Sequence, residues 1–160
     1  MAVDFFLKLD GIEGESTDDK HKGEIDIESF SWGATNSGTA GQGGGSGAGK
    51  VAQGDFHFIK NYDKASPAVM IGCTTGQHFK KAVFTCRKAG GGQQEFLKYT
   101  FEGVLISSYQ TIGSPENTIP KDQFTFNFAT LEVSYKPQQA DGTLGGEVKQ
   151  KYDFAKNIKV

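Results

Sequence analysis

Three segments of this chain change the phase of their apolar residues halfway along, and that slip constrains the fold more than any other feature. In Glu24–Gly33 the apolar side chains fall on odd positions, Ile25 and Ile27, and then on even ones, Phe30 and Trp32. Leu97, Tyr99 and Phe101 give way to Val104 and Ile106 around Gly103. Phe124, Phe126 and Phe128 give way to Leu131, Val133 and Tyr135. A strand has period two, so one face cannot bury both sets unless a residue is inserted. The spacing therefore predicts β-bulges, near Glu28-Ser29 in the first case, which bend strands and let a sheet turn corners.

Further strands are expected at 2–9, about 51–60 (Phe56 and Phe58 on one face), 80–87 and 148–155. With no βαβ rhythm, the class is all-β with one short helix: an antiparallel β-barrel of about seven to eight strands with bulges. The inward set is Phe30, Trp32, Phe56, Phe58, Phe124, Phe126 and Phe128. The helix is predicted over Ser66–Gly76, with Ser66 as N-cap, Pro67 at the first helical position and Gly76 at the left-handed stop. Its body is apolar almost all round, which calls for burial against the barrel or a neighbouring subunit. At 160 residues the chain is read as a single domain, 1–160.

Charge excludes several functions. Seventeen basic against 19 acidic residues give a formal charge of −2, with no basic groove for nucleic acid. No apolar stretch reaches the roughly 20 residues of a membrane helix. The first ten residues lack a basic leader, and Asp4 and Lys8 interrupt the apolar run, so no signal peptide is read there. Synthesis and folding in the cytosol are expected, which makes Cys73 and Cys86 reduced core residues rather than a disulfide.

No catalytic constellation emerges. Gly44-x-x-x-x-Gly49-Lys50 matches most of a phosphate-binding loop, but Val51 stands where a hydroxyl must ligate magnesium. Residues 51–60 also read as strand, so no helix N-terminus would face the anion. His21, His57 and His78 show no metal-ligand spacing, and no serine sits in a Gly-x-Ser-x-Gly elbow between strand and helix. Asp55 and His57 share a strand face and read as a surface pair. No metal, cofactor or catalytic residue is expected, and the chain is read as a non-enzyme.

The segment 38–50 is instructive for another reason. Seven of the twelve residues 38–49 are glycine, and no charge occurs from Ser29 to Gly49. Ordering such a chain costs about 1–2 kcal/mol per residue. It is either a solvated tether or a segment ordered by docking, and the lack of charge favours docking.

Several motifs, in order along nearly the whole chain, resemble the haemolysin-coregulated protein (Hcp) family. They are the opening Met1-Ala2-Val3-Asp4 with Gly14-Glu15-Ser16, Glu24-Ile25-Asp26-Ile27 leading to Ser31-Trp32-Gly33, and the run ending Gly47-Ala48-Gly49-Lys50. Phe56-x-Phe58-x-Lys60 with Asp63-Lys64-Ala65-Ser66-Pro67, Arg87-Lys88-Ala89-Gly90-Gly91 and Pro137-Gln138-x-Ala140-Asp141-Gly142 complete the set. The resemblance implies the tube protein of the bacterial type VI secretion system: homohexameric rings that stack, capped by a VgrG-type spike and enclosed by a contractile sheath. Some members carry effector proteins in the ring. Export through the apparatus, to the extracellular space or a target cell, is implied as well. A ring-stacking role then falls on Gly41, Gly43, Gly44, Gly45, Gly47, Gly49 and Lys50. With Phe30 and Trp32 inside, Ser31 must point outward, toward a lumen or toward solvent or a subunit interface. The rival reading is a monomeric, lipocalin-like β-barrel for a small ligand, which would need an apolar cavity where this chain places phenylalanines.

Overall fold

The computed structural model describes residues 3–36, 51–88, 92 and 94–160. Among them the chain forms β1 (Val3–Leu9), β2 (Ile25–Ile27), β3 (Ser29–Ser31), β4 (Ala34–Asn36), β5 (Val51–Gln53) and β6 (Phe56–Asn61). Helix α1 (Ser66–Thr75) follows, then β7 (His78–Lys88), β8 (Glu95–Ile112), β9 (Lys121–Asn127), β10 (Thr130–Tyr135), β11 (Val148–Asp153) and β12 (Ile158–Lys159). The strand expected over 148–155 stops at Asp153, where a turn to β12 begins.

All pairings are antiparallel. One arm of the main sheet runs β12-β11-β10-β8-β7-β1-β2, and the other, β3-β6-β9, joins the second half of β8. The long β8 thus belongs to both arms: residues 97–102 pair with β10, and residues 105–112 pair with β9. The arms curl over one aromatic core to make the β-barrel.

The three phase slips mark where strands change partners. Ile25 and Ile27 pair with β1; then Glu28 donates its N–H to Ile59 O (2.8 Å), and Ser29–Ser31 pair with β6. The slips in β8 and between β9 and β10 are one corner seen from two strands. Gly103 takes φ +64°, and Ala129 N–H donates to Glu102 O (2.9 Å) and Gly103 O (3.2 Å). Phe101 and Val104 consequently both point inward and are fully buried. Among the described residues twelve strand segments replace the expected seven or eight. The exchanges split β2 from β3 and β9 from β10, and the strand expected over 51–60 breaks at Gly54-Asp55 into β5, which pairs with β4, and β6, which pairs with β9. Strands β4 and β12 are additional.

Phe56, Phe58, Phe124, Phe126 and Phe128 are buried as expected. Phe30 and Trp32 are only half-buried, packed against the cluster rather than enclosed in it. Ring centroids stand 4.7 Å apart for Phe30–Phe84, 5.0 Å for Phe56–Phe101 and 4.8 Å for Phe101–Phe126, each roughly edge-on. Each buried ring stabilises by about 1.5–3 kcal/mol. Phenylalanine fills the space where a ligand carrier keeps a cavity.

Helix α1 ends as expected. Gly76 is left-handed (φ +66°), with its N–H on Cys73 O and that of Gln77 on Gly72 O, a Schellman stop. Its start differs from expectation. Ala65 precedes the helix without a side-chain cap, and Ser66 is completely buried, its hydroxyl turned inward. Nor is the helix buried all round. Ser66, Val69 and Gly72 face the barrel, while Met70 and Ile71 stay exposed. Gly72 permits the close approach, since a Cβ there would lie 3.1 Å from Ile106 and Phe79.

Candidate functional site

The ladder β3-β6-β9-β8 aligns outward side chains in two rows. Ser31 faces His57, which faces Thr125, which adjoins Ser108; Ser29, Ile59, Gln123 and Gln110 form the second row. The pattern follows from period two: Phe30, Phe58 and Phe124 turn inward, so their neighbours turn out. Together the rows line a hollow of about 460 Å³. Neither row carries a carboxylate, lysine or arginine.

A bulge enriches this face. The β8–β9 register shifts between Ile106 and Ser108. Ser107 Oγ then reaches Thr125 Oγ1 (2.7 Å) and Asp55 Oδ2 (2.7 Å), and Ser108 Oγ reaches the same threonine (2.6 Å). Asp55 therefore accepts a hydrogen bond from Ser107 instead of forming the surface pair with His57 that the sequence suggested. Ser31 is exposed, as the sequence required.

Behind the face lies a buried polar cluster that sequence reasoning missed. Lys60, Asp122 and Ser66 are wholly inaccessible. Lys60 Nζ donates to Asp63 Oδ1 (2.8 Å), Ser66 Oγ (2.7 Å) and Asp122 Oδ2 (2.9 Å); Ser66 Oγ also donates to Asp122. Tyr109 donates to the other Asp122 oxygen (3.0 Å). The alternation Phe56-x-Phe58-x-Lys60 did signal that Lys60 points inward. Three hydrogen bonds satisfy its ammonium, so the burial is tolerable. The cluster ties the start of α1 to β6 and β9. Its Lys60, Asp122 and Ser66 side chains are closed to solvent, while Asp63 and Tyr109 are partly exposed.

On the other arm, the loop between β1 and β2 is clasped to the sheet. His21 stacks on Phe6 (4.4 Å) with its ring nitrogens against Glu24 (2.8 Å) and Glu95 (2.6 Å). The Arg87 guanidinium lies 4.8 Å from the Phe6 centroid and pairs with Asp18 and Asp4. Hydrogen bonds from Arg87 hold the Asp18 carboxyl down at about 2. Phe6, on the face opposite Leu7 and Leu9, is buried beneath this clasp.

No group of three or more His, Cys, Asp or Glu side chains converges on a metal position among the described residues. Cys86 is buried, which pushes its thiol up to about 12, and Cys73 lies half-buried on α1; neither is disulfide-bonded. Val51 begins a strand, as expected, while Gly41, Gly43, Gly44, Gly45, Gly47, Gly49 and Lys50 lie outside the described residues. No helix among the described residues is long and apolar enough to cross a membrane.

A bent, bulged antiparallel β-barrel with one short helix is the class of protein that the fold defines. The family described as "Type VI secretion system effector, Hcp" matches residues 6–135, and the chain belongs to that family. It is 44% identical over 161 residues to Protein hcp1 of Pseudomonas aeruginosa, covering 99% of both chains. Among solved structures it is similar to Hcp1 from Salmonella typhimurium (35% identity, TM-score 0.84, all of both chains). A second, "Structure of a type six secretion system protein", matches at 32% identity and TM-score 0.93 over 99% of this chain and 100% of the other. A type VI secretion system effector from Yersinia pestis matches at 33% identity and TM-score 0.77, over 94% of this chain and 99% of that one.

Proposed function

We propose that this chain is a structural subunit of the type VI secretion tube, closing into hexameric rings that stack with a continuous lumen. The observation that carries the reading is the hydroxyl- and amide-bearing face of Ser31, Thr125, Ser108, Gln123 and Gln110 on a rigid ladder whose two rows carry no carboxylate, lysine or arginine. A lumen wall must let polypeptide slide, and an uncharged polar surface offers weak hydrogen bonds without fixed ion pairs. Ser31 sits on this wall.

In this reading the chain works by association and not as an enzyme. The partners are other copies of itself, a VgrG-type spike at the tip, a contractile sheath outside and effector proteins in the lumen. The glycine segment 38–50 supplies the contact between rings, weak per subunit but repeated around the ring. The assembled tube leaves the cytosol through the apparatus.

Light scattering on the purified protein tests the proposal. A ring gives six times the 17.3 kDa chain mass, and electron micrographs show annuli. A single-chain mass at high concentration rules the reading out.

A further inference from the structure

Lys60 and Asp122 sit directly opposite each other on β6 and β9, and both side chains are closed to solvent. The next inward pair along the ladder is Phe58 opposite Phe124, whose rings lie 5.1 Å apart and exclude water on that side. An ammonium 2.9 Å from a carboxylate oxygen becomes an amine facing a carbonyl carbon once a proton passes between them. A dry surrounding makes that neutral form accessible, because burial penalises charge.

The neighbours of the pair stand where a condensation needs them. Asp63 Oδ1 accepts from Lys60 Nζ (2.8 Å), on the amine side. Tyr109 donates to Asp122 Oδ1 (3.0 Å), the oxygen on which negative charge would develop. Ser66 donates to Asp122 Oδ2, and its Oγ also lies 3.4 Å from Asp63 Oδ1, so one hydroxyl links the base to the leaving oxygen. The Arg87–Asp18 pair offers no such chemistry, because a guanidinium stays protonated.

We propose that Lys60 and Asp122 condense into an intramolecular isopeptide bond between β6 and β9. Proton transfer from Nζ to Oδ2 gives an amine and a carboxylic acid. The Nζ lone pair attacks Asp122 Cγ, forming the C–N bond and moving negative charge onto Oδ1 beside the Tyr109 hydroxyl. Asp63 takes one proton from Nζ. The Cγ–Oδ2 bond then breaks, and Oδ2 leaves as water with its own proton and the one that Asp63 returns through Ser66. No oxidant or cofactor enters, and Asp63 and Ser66 end as they began. The partly exposed Asp63 and Tyr109 mark the side on which the water escapes.

Contact held by the fold replaces the encounter that limits amide condensation in water. Two buried charges become one neutral amide. The same neighbours satisfy it: Tyr109 donates to its carbonyl, and its N–H donates to Asp63. The bond closes a loop across 62 positions in a chain whose cysteines are free, restricting the unfolded state as a long-range crosslink does. The step is internal to one chain and independent of ring formation.

Intact-mass spectrometry of the purified full-length protein is expected to read one water below the sequence mass. Digestion should give a branched peptide joining the Lys60 and Asp122 segments, with no tryptic cleavage after Lys60. Asp122→Asn should form the same branch by losing ammonia, and Lys60→Arg should keep its full mass. Asp63→Asn, soluble and with a folded circular-dichroism spectrum, should carry a crosslinked fraction lower by roughly tenfold or more. An undiminished wild-type mass, with Lys60 and Asp122 in separate peptides, overturns the bond and leaves a plain ion pair. A water loss that maps elsewhere, such as a succinimide at Asp141-Gly142, overturns it equally. Undiminished crosslinking in Asp63→Asn overturns the role given to Asp63.

Discussion

Lys60 Nζ stands 2.9 Å from Asp122 Oδ2, and neither side chain touches solvent. The pair is 62 positions apart in sequence and joins β6 to β9, with Asp63 and Ser66 completing the shell around the ammonium. Removing the cation alone leaves buried carboxylate charge uncompensated, which is far costlier than never having had the pair.

Lys60→Met is therefore expected to destabilise the fold by about 3–5 kcal/mol in urea unfolding. Lys60→Met with Asp122→Leu should recover a large part of that loss. Ser66→Ala should cost about 1–3 kcal/mol, since it strips hydrogen bonds from groups that remain buried.

The Arg87–Asp18 pair makes the β1–β2 loop acid-sensitive. Asp18 is lowered from 3.8 to about 2 in the fold. A depressed carboxyl contributes stability above its unfolded value, and the contribution is lost as pH falls from about 4 toward 2. Asp18→Asn should lower the melting temperature at pH 6, and the difference from wild type should shrink at pH 2. Thermal melts across that range check it.

Two glycines separate backbone strain from steric clash. Gly103 and Gly76 both have positive φ, but an added Cβ at Gly103 would sit 2.9 Å from Ala129 Cβ, whereas Gly76 faces open space. Gly76→Ala should cost about 1 kcal/mol through the left-handed backbone alone. Gly103→Ala should cost about 1–3 kcal/mol and disturb the corner where β8 changes partners. Urea midpoints of the two variants give the ranking.

Ser31→Gln tests the proposed lumen wall. The larger amide should reduce retention of an effector protein on purified rings while leaving ring mass unchanged. Unchanged retention would remove Ser31 from the proposed cargo path.

Replacing Gly43, Gly44 and Gly45 by Asp tests the proposed contact between rings. Fixed negative charge in a docking segment must be desolvated or repelled, so tubes should be lost in electron micrographs while isolated rings remain. Intact tubes from this variant would refute the stacking assignment.

Local sequence determined most of the strand segments, the three phase slips, the inward Phe56, Phe58, Phe124, Phe126 and Phe128, and the helix stop at Gly76. Each rests on period two, period 3.6 or a single backbone preference, all of which act within a few residues. Tertiary structure decided the rest. It showed that the slips at Gly103 and Ala129 are one corner, a relation between strands that no single segment reports. It turned Ser66 away from capping and into the Lys60–Asp122 cluster, because a buried ammonium outbids a helix end for a hydroxyl. It buried Phe6 beneath His21 and Arg87, whose partners Glu95 and Asp18 lie 74 and 69 positions away. Periodicity says which way a side chain points, whereas a buried charge is satisfied by whatever the folded chain brings within 3 Å, and that choice exists only after the barrel has closed.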